Sequence, residues 1–185
     1  MRALDDLGLR GEVQLIACGG IKSGVDAAKA LALGADAVAI GSAALIALNC
    51  NAPIYVEDYE AMGTRPGACH HCHTGRCPVG VATQTPELVK RLVVEEAAER
   101  VHNFLHAMTL EMQIMARACG KSHVGNLDRD DLRALTLESA LMTGLPLAGM
   151  QHPITFNSGP APHAAHSAPA VTIPVHESGL PLSML

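Results

Sequence analysis

Three cysteines fall within nine residues in the run Cys69-His70-His71-Cys72-His73-Thr74-Gly75-Arg76-Cys77, a C-x2-C-x4-C spacing in a chain with six cysteines. Thiolates held so close repel one another and oxidise readily, so a loop that gathers them is made for a metal ion or a cluster. Pro78 follows the last of them. Proline fixes the backbone there and removes an N–H, and Cys-Pro is a recurrent ending of iron–sulfur ligand runs. His70, His71 and His73 leave a second chemistry open, a tetrahedral zinc held by thiolates and one imidazole that would only staple the loop. The Cys-Pro step favours the cluster.

A different chemistry is suggested upstream. Residues 13–18 are short and apolar, as in a buried parallel strand, and Gly19-Gly20-Ile21-Lys22-Ser23-Gly24 follows. Residues 25–33 then read as a helix ended by Gly34, and residues 37–40 as a second strand closed by Gly41-Ser42. This is a βαβ unit of an α/β protein, with two small-residue loops at one sheet edge. Without a Cβ, backbone N–H groups can approach an anion closely, and the last two strand loops of a TIM barrel hold phosphate in this way. The Walker and dinucleotide spacings are both absent, since Lys22-Ser23 sits between glycines. Phosphate binding is expected here; the plainer alternative is a tight strand-to-helix turn.

The elements that must position these loops can be read in turn. Residues 51–68 have mixed pattern and read as an inserted surface loop. Thr85-Pro86-Glu87 opens a helix, with Thr85 as N-cap and Pro86 at the first helical position. Apolar residues recur at helical spacing at Ala97, Val101, Phe104, Leu105, Met108, Met112 and Met115 up to Gly120, so the methionine stripe is expected to be core. Asp128 with Asp131 caps a short helix to Leu135, and a further apolar turn ends at Gly144. From Gln151 onward prolines punctuate Ala, His and Ser without periodicity, and this tail is expected to be disordered, with His163 and His166 solvated.

Composition narrows the possibilities. The 185 residues are 49% hydrophobic, which suits a globular domain, and no apolar run reaches membrane-spanning length. The N-terminal residues lack a signal-peptide core, so a cytoplasmic location is expected, with reduced thiols and metal or redox roles for clustered cysteines. A net charge of -5 without blocks of like charge speaks against nucleic acid. Aromatics are 2% of the chain, so the core must be aliphatic.

Four runs together resemble a known family. They are Ala17-Cys18-Gly19-Gly20-Ile21-Lys22-Ser23-Gly24, then Gly34-Ala35-Asp36-Ala37-Val38-Ala39-Ile40-Gly41-Ser42-Ala43-Ala44, then Ala47-Leu48-Asn49-Cys50, and Cys72-His73-Thr74-Gly75-Arg76-Cys77-Pro78-Val79-Gly80-Val81-Ala82-Thr83-Gln84. In order and spacing, apart from one insertion, they resemble the C-terminal part of the glutamate synthase FMN-binding domain, and the helices that follow resemble the end of its archaeal-type large subunits. The resemblance covers roughly residues 3–148.

The resemblance implies the C-terminal fragment of a TIM (β/α)8 barrel. Residues 1–50 would carry strands 7 and 8, residues 51–84 the insertion and iron–sulfur loop, residues 85–148 the C-terminal helices, and residues 149–185 the tail. Strands one to six would come from a missing N-terminal part of the barrel. It further implies FMN, its phosphate on Gly19, Gly20, Lys22, Gly41 and Ser42, and an iron–sulfur cluster nearby.

Two ligand sets follow for a 3Fe–4S cluster. The family alignment implies Cys50, Cys72 and Cys77; compactness favours Cys69, Cys72 and Cys77; all four could hold 4Fe–4S. Cys18 is expected to be a buried thiol and Cys119 a structural one. The implied reaction reduces 2-iminoglutarate, formed from 2-oxoglutarate and ammonia, to L-glutamate. Implied partners are a glutaminase (amidotransferase) subunit or domain and an NAD(P)H-oxidising subunit or ferredoxin. The insertion also resembles the related subunit of N-methylglutamate synthase, in which methylamine replaces ammonia.

Overall fold

A computed structural model describes residues 2–154. Helix α1 (Arg2–Asp6) leads into strand β1 (Ile16–Cys18), helix α2 (Gly24–Ala32), strand β2 (Ala37–Ala39) and helix α3 (Ser42–Ala47). Helices α4 (Val56–Ala61), α5 (Pro86–Val89), α6 (Val94–Ala118) and α7 (Leu137–Thr143) follow, joined by turns. The expected βαβ unit is present as an α/β arrangement. β1 and β2 pair in parallel with Ile16 opposite Ala37 and Cys18 opposite Ala39, and α2 makes the crossover.

Local chemistry fixes that unit. Arg10 forks onto both carboxylate oxygens of Asp36 at 3.1 Å, and Asp36 also accepts the Leu15 N–H at 2.7 Å, so the two strand entrances are fastened together. Ser23 caps α2, its hydroxyl accepting the Asp26 N–H at 3.2 Å. The buried face of α2 is alanine (Ala27, Ala28 and Ala32), which lets it lie close to α6. Gly24 marks the tightest approach. A Cβ there would stand 2.1 Å from the Met108 carbonyl oxygen, and the Gly24 N–H donates to Glu111 Oε2 at 2.6 Å.

The main core follows from this crossing. Ala28, Ala32, Ala116 and Leu127 are buried together, with Met112, Met115, Cys119, Val124 and Leu132 packed around them. Met108 is buried as well. The methionine stripe is therefore core, as its spacing predicts. Cys119 packs there as a structural thiol.

Several elements differ from the sequence expectation. The first strand is confined to Ile16–Cys18, half the expected length, and Cys18 is exposed rather than buried. The physical reason is that the two-stranded sheet covers only one side of β1 and leaves Ile16 67% exposed. Residues 51–68 are not merely a surface loop: a 3-10 turn (Pro53–Tyr55) and α4 lie there and bury Tyr59. Thr85 makes no side-chain cap, and its helix lasts one turn before α6 begins afresh at Val94. Asp128 and Asp131 do form a reciprocal capping box, but around a 3-10 turn (Arg129–Asp131), after which Ala134 bridges to Leu147. α7 ends at Gly144 in the left-handed conformation, as expected. His163, His166 and most of the proline-rich tail lie outside the described residues. Among those described, no helix is long and apolar enough to cross a membrane.

Candidate metal centre and anion loops

Four of the six cysteines come into one neighbourhood. Cys50 leaves the turn after α3, where Asn49 adopts a positive φ of 76°. The insertion then folds back, and the buried hydroxyl of Tyr59 donates to the Cys50 carbonyl oxygen. Tyr59, Ala52, Cys77 and Val79 form a second small core, with Cys69, Tyr55 and Met62 packed against it. Cys72 opens a 3-10 turn (Cys72–Thr74) and is exposed; Cys77 is buried. Burial pushes the Cys50 thiol pKa up, and the neighbouring Cys77, Cys72 and Cys69 add to the effect. Burial, then Cys50, Cys77 and Cys69, raise the Tyr59 phenol to about 12. Cys50 thus lies near Cys69, Cys72 and Cys77 although 19 to 27 residues separate it from them along the chain.

The loop is held by its own backbone and by what packs on it. The Thr74 hydroxyl donates to the His71 carbonyl at 2.8 Å, and the Thr83 hydroxyl donates to the Gly75 carbonyl. Gly80, at φ 82°, lies against α5, where a Cβ would meet the Leu88 carbonyl oxygen at 2.4 Å. Only glycine satisfies both the angle and the approach. Arg91 donates to the Pro78 carbonyl at 2.8 Å and pairs with Asp58 at 2.7 Å. His70 and His71 stack at 4.7 Å, and His73 follows at 6.5 Å from His71. Among the described residues, no three His, Cys, Asp or Glu side chains converge closely enough to hold one metal ion.

The glycine loops also meet. Both leave the C-terminal ends of paired parallel strands, so Gly19-Gly20 and Gly41-Ser42 share one sheet edge. Gly19 and Gly20 have φ of 99° and 71°, and no atom lies within 4 Å of where a Cβ would be built at either. Gly41 stands at the N-cap of α3 without a side-chain cap, and Ser42 is the first helical residue. Lys22 and Ala43 line one open hollow of about 350 Å³, together with Ile46, Ala47, Arg100 and Phe104. The residue set therefore fits an anion: accessible backbone on two loops, with a cation beside them.

Tyr59, Arg91 and Asp58 are structural parts of the site that the cysteine spacing did not reveal. Tyr55 and Tyr59, four apart in a chain with two tyrosines, were the available signal for a local helix.

Comparison with known proteins gives consistent matches. The family described as "Conserved region in glutamate synthase" matches residues 1–122. A "Glutamate synthase large subunit-like protein" of Rhizobium meliloti is 55% identical over 149 residues, covering 80% of this chain and 34% of that protein. An "Archaeal glutamate synthase [NADPH]" of Methanocaldococcus jannaschii is 43% identical, covering 72% of this chain and 24% of that protein. The counterpart from Archaeoglobus fulgidus is 36% identical over 79% of this chain and 26% of its own length. The chain thus spans about a quarter to a third of the relatives it matches. No solved structure matches.

Proposed function

This chain belongs to the glutamate synthase family, and on that premise we propose that it forms the iron–sulfur-bearing end of an FMN-dependent oxidoreductase that makes L-glutamate. The observation that carries the reading is that Cys50 lies near Cys69, Cys72 and Cys77, with Cys69 and Cys77 packed on the Tyr59 that holds the Cys50 carbonyl, in the same chain as the paired glycine loops. The βαβ unit is taken as strands 7 and 8 of a (β/α)8 barrel, with the other strands belonging to the rest of the enzyme.

The donor set supports a cluster over a zinc staple. Pro78 directly after Cys77 is the recurrent ending of iron–sulfur ligand runs, and the paired glycine loops of the same chain suit a flavin that such a cluster would serve. The cluster would be held by Cys72 and Cys77 with Cys50, Cys69 or both. Gly19, Gly20, Gly41 and Ser42 would offer backbone N–H groups to the FMN phosphate, with Lys22 supplying positive charge. When bound, the flavin and cluster supply the electrons for reduction of 2-iminoglutarate, formed from 2-oxoglutarate and ammonia. This chain's residues would position both groups and shield the buried Cys77 side from water. A glutaminase unit and an NAD(P)H-oxidising subunit or ferredoxin would deliver ammonia and electrons.

The test is anaerobic purification of the holoenzyme with quantification of iron, labile sulfide, zinc and FMN. Iron and sulfide together, with the broad visible absorption of sulfur-to-iron charge transfer, are expected. A colourless protein with stoichiometric zinc would overturn the reading.

A further inference from the structure

We propose that Arg91 is the positioning residue of the cysteine loop, holding Cys77 in place through Pro78 and setting the charge felt by the group the thiols bind. The inference rests on the iron–sulfur reading above and adds to it a residue outside the cysteine run.

Three segments meet at this guanidinium. Its Nη1 donates to the Pro78 carbonyl at 2.8 Å and to Asp58 Oδ2 at 2.7 Å, while its Cζ lies 4.6 Å from the centroid of the Tyr55 ring. Pro78 is fully buried and immediately follows the buried Cys77. Because proline has no N–H, its carbonyl is the one backbone polar group by which this residue can be held. Tyr55 and Asp58 belong to the insertion, whose Tyr59 in turn holds the Cys50 carbonyl. Arg91 therefore couples the insertion carrying the Cys50 contact to the loop carrying Cys77. A planar guanidinium can stack on a ring and donate in its own plane at once; an ammonium cannot do both.

The same arrangement has an electrical consequence. A fixed positive charge beside the Cys77-Pro78 backbone favours the more negative, reduced form of a bound cluster, and Asp58 partly cancels it. Removing the two charges separately should therefore move the reduction potential in opposite directions. A purely mechanical role would not produce that pair of signs.

The experiment uses the holoenzyme with Arg91→Met, Arg91→Lys and Asp58→Asn, measuring reduction potential by redox titration and iron loss to a chelator. Arg91→Met should shift the potential downward and lose iron about tenfold faster, the scale of one charge-assisted hydrogen bond. Arg91→Lys should keep the potential near wild type while still losing iron faster, and Asp58→Asn should shift the potential upward. If Arg91→Met does not accumulate, the last two variants still decide the matter. Unchanged potential and iron retention in the arginine variants, or shifts of the same sign in Arg91→Met and Asp58→Asn, would overturn the assignment. Wild-type enzyme without iron and labile sulfide would instead overturn the cluster reading, and this inference with it.

Discussion

The phenol of Tyr59 donates a hydrogen bond to the backbone carbonyl of Cys50, and Tyr59 is 1% exposed. A buried carbonyl left without its donor costs on the order of 1–3 kcal/mol. Tyr59→Phe keeps the ring and the packing but removes the donor. It is expected to lower stability by about 1–2 kcal/mol, read from the midpoint of chemical unfolding. An unchanged midpoint would show that water replaces the phenol at no cost.

The cysteines should separate into two classes. Cys72→Ser or Cys77→Ser is expected to abolish cluster assembly in the holoenzyme, because a serine hydroxyl is a far poorer ligand for iron than a thiolate. Cys119→Ser, in the α2–α6 core, should leave iron and sulfide unchanged. Cys50→Ser and Cys69→Ser decide the ligand set: whichever reduces iron content belongs to it. Wild-type iron in the Cys72 or Cys77 variant would remove the assignment.

Gly20→Val should weaken FMN binding in the holoenzyme. The position has a φ of 71°, which a β-branched residue adopts only under strain, and a side chain there would stand between the phosphate and the loop N–H groups. Affinity is expected to fall roughly tenfold or more, the scale of one lost hydrogen bond to a charged group at about 1.5–3 kcal/mol, measured by recovery of flavin fluorescence. Equal affinity would return the loop to a plain turn.

The Arg10–Asp36 pair makes a pH prediction. The hydrogen bond from Arg10, and secondarily that from the Leu15 N–H, holds the Asp36 carboxyl below its ordinary range despite opposing desolvation. A carboxylate whose folded pKa is depressed contributes stability above its unfolded pKa and loses it as pH falls through the folded value. Asp36→Asn should therefore flatten the acid limb of the stability profile. With the carboxylate 32% exposed, solvent screening limits the loss at neutral pH to about 1 kcal/mol. A variant whose acid limb matches wild type would show that the pair is screened out.

Expressed without the remainder of the enzyme, the chain is expected to lack synthase activity and to release FMN. Phosphate contacts from two loops are a fraction of a flavin's binding surface, and β1 leaves Ile16 open to solvent. Gel filtration with excess FMN, iron and sulfide checks this; a monomer with stoichiometric FMN that consumes 2-oxoglutarate would refute it.

What was legible in the sequence was local. The βαβ unit, the methionine core and the Gly144 terminus follow from periodicity and from glycine, signals that act over a few residues. The reach of the first strand was not legible, because strand length depends on neighbours that residues 13–15 do not report. The insertion was harder still. Tyr59 is buried by Cys77 and Val79, which lie far along the chain, so its mixed local pattern resembled a loop. For the site, spacing gave the cysteine run, but the placement of Cys50 beside it requires α4 to fold back, and no short-range rule encodes that.

The hydrogen bond from Gly24 to Glu111 joins positions 87 apart, and all four clustered cysteines lie inside the loop it closes. Closing such a loop costs about 4 kcal/mol of chain entropy beyond a constant, and contacts of this separation slow folding. Once α2 has crossed α6, however, the cysteine segment is tethered at both ends. Cys50 and Cys77 then search a smaller volume for each other. If the thiols hold the proposed cluster, its assembly would be easiest with the helix crossing first and capture of iron and sulfide second. A chain whose crossing is delayed would leave its thiols longest in the open, where oxidation competes with assembly.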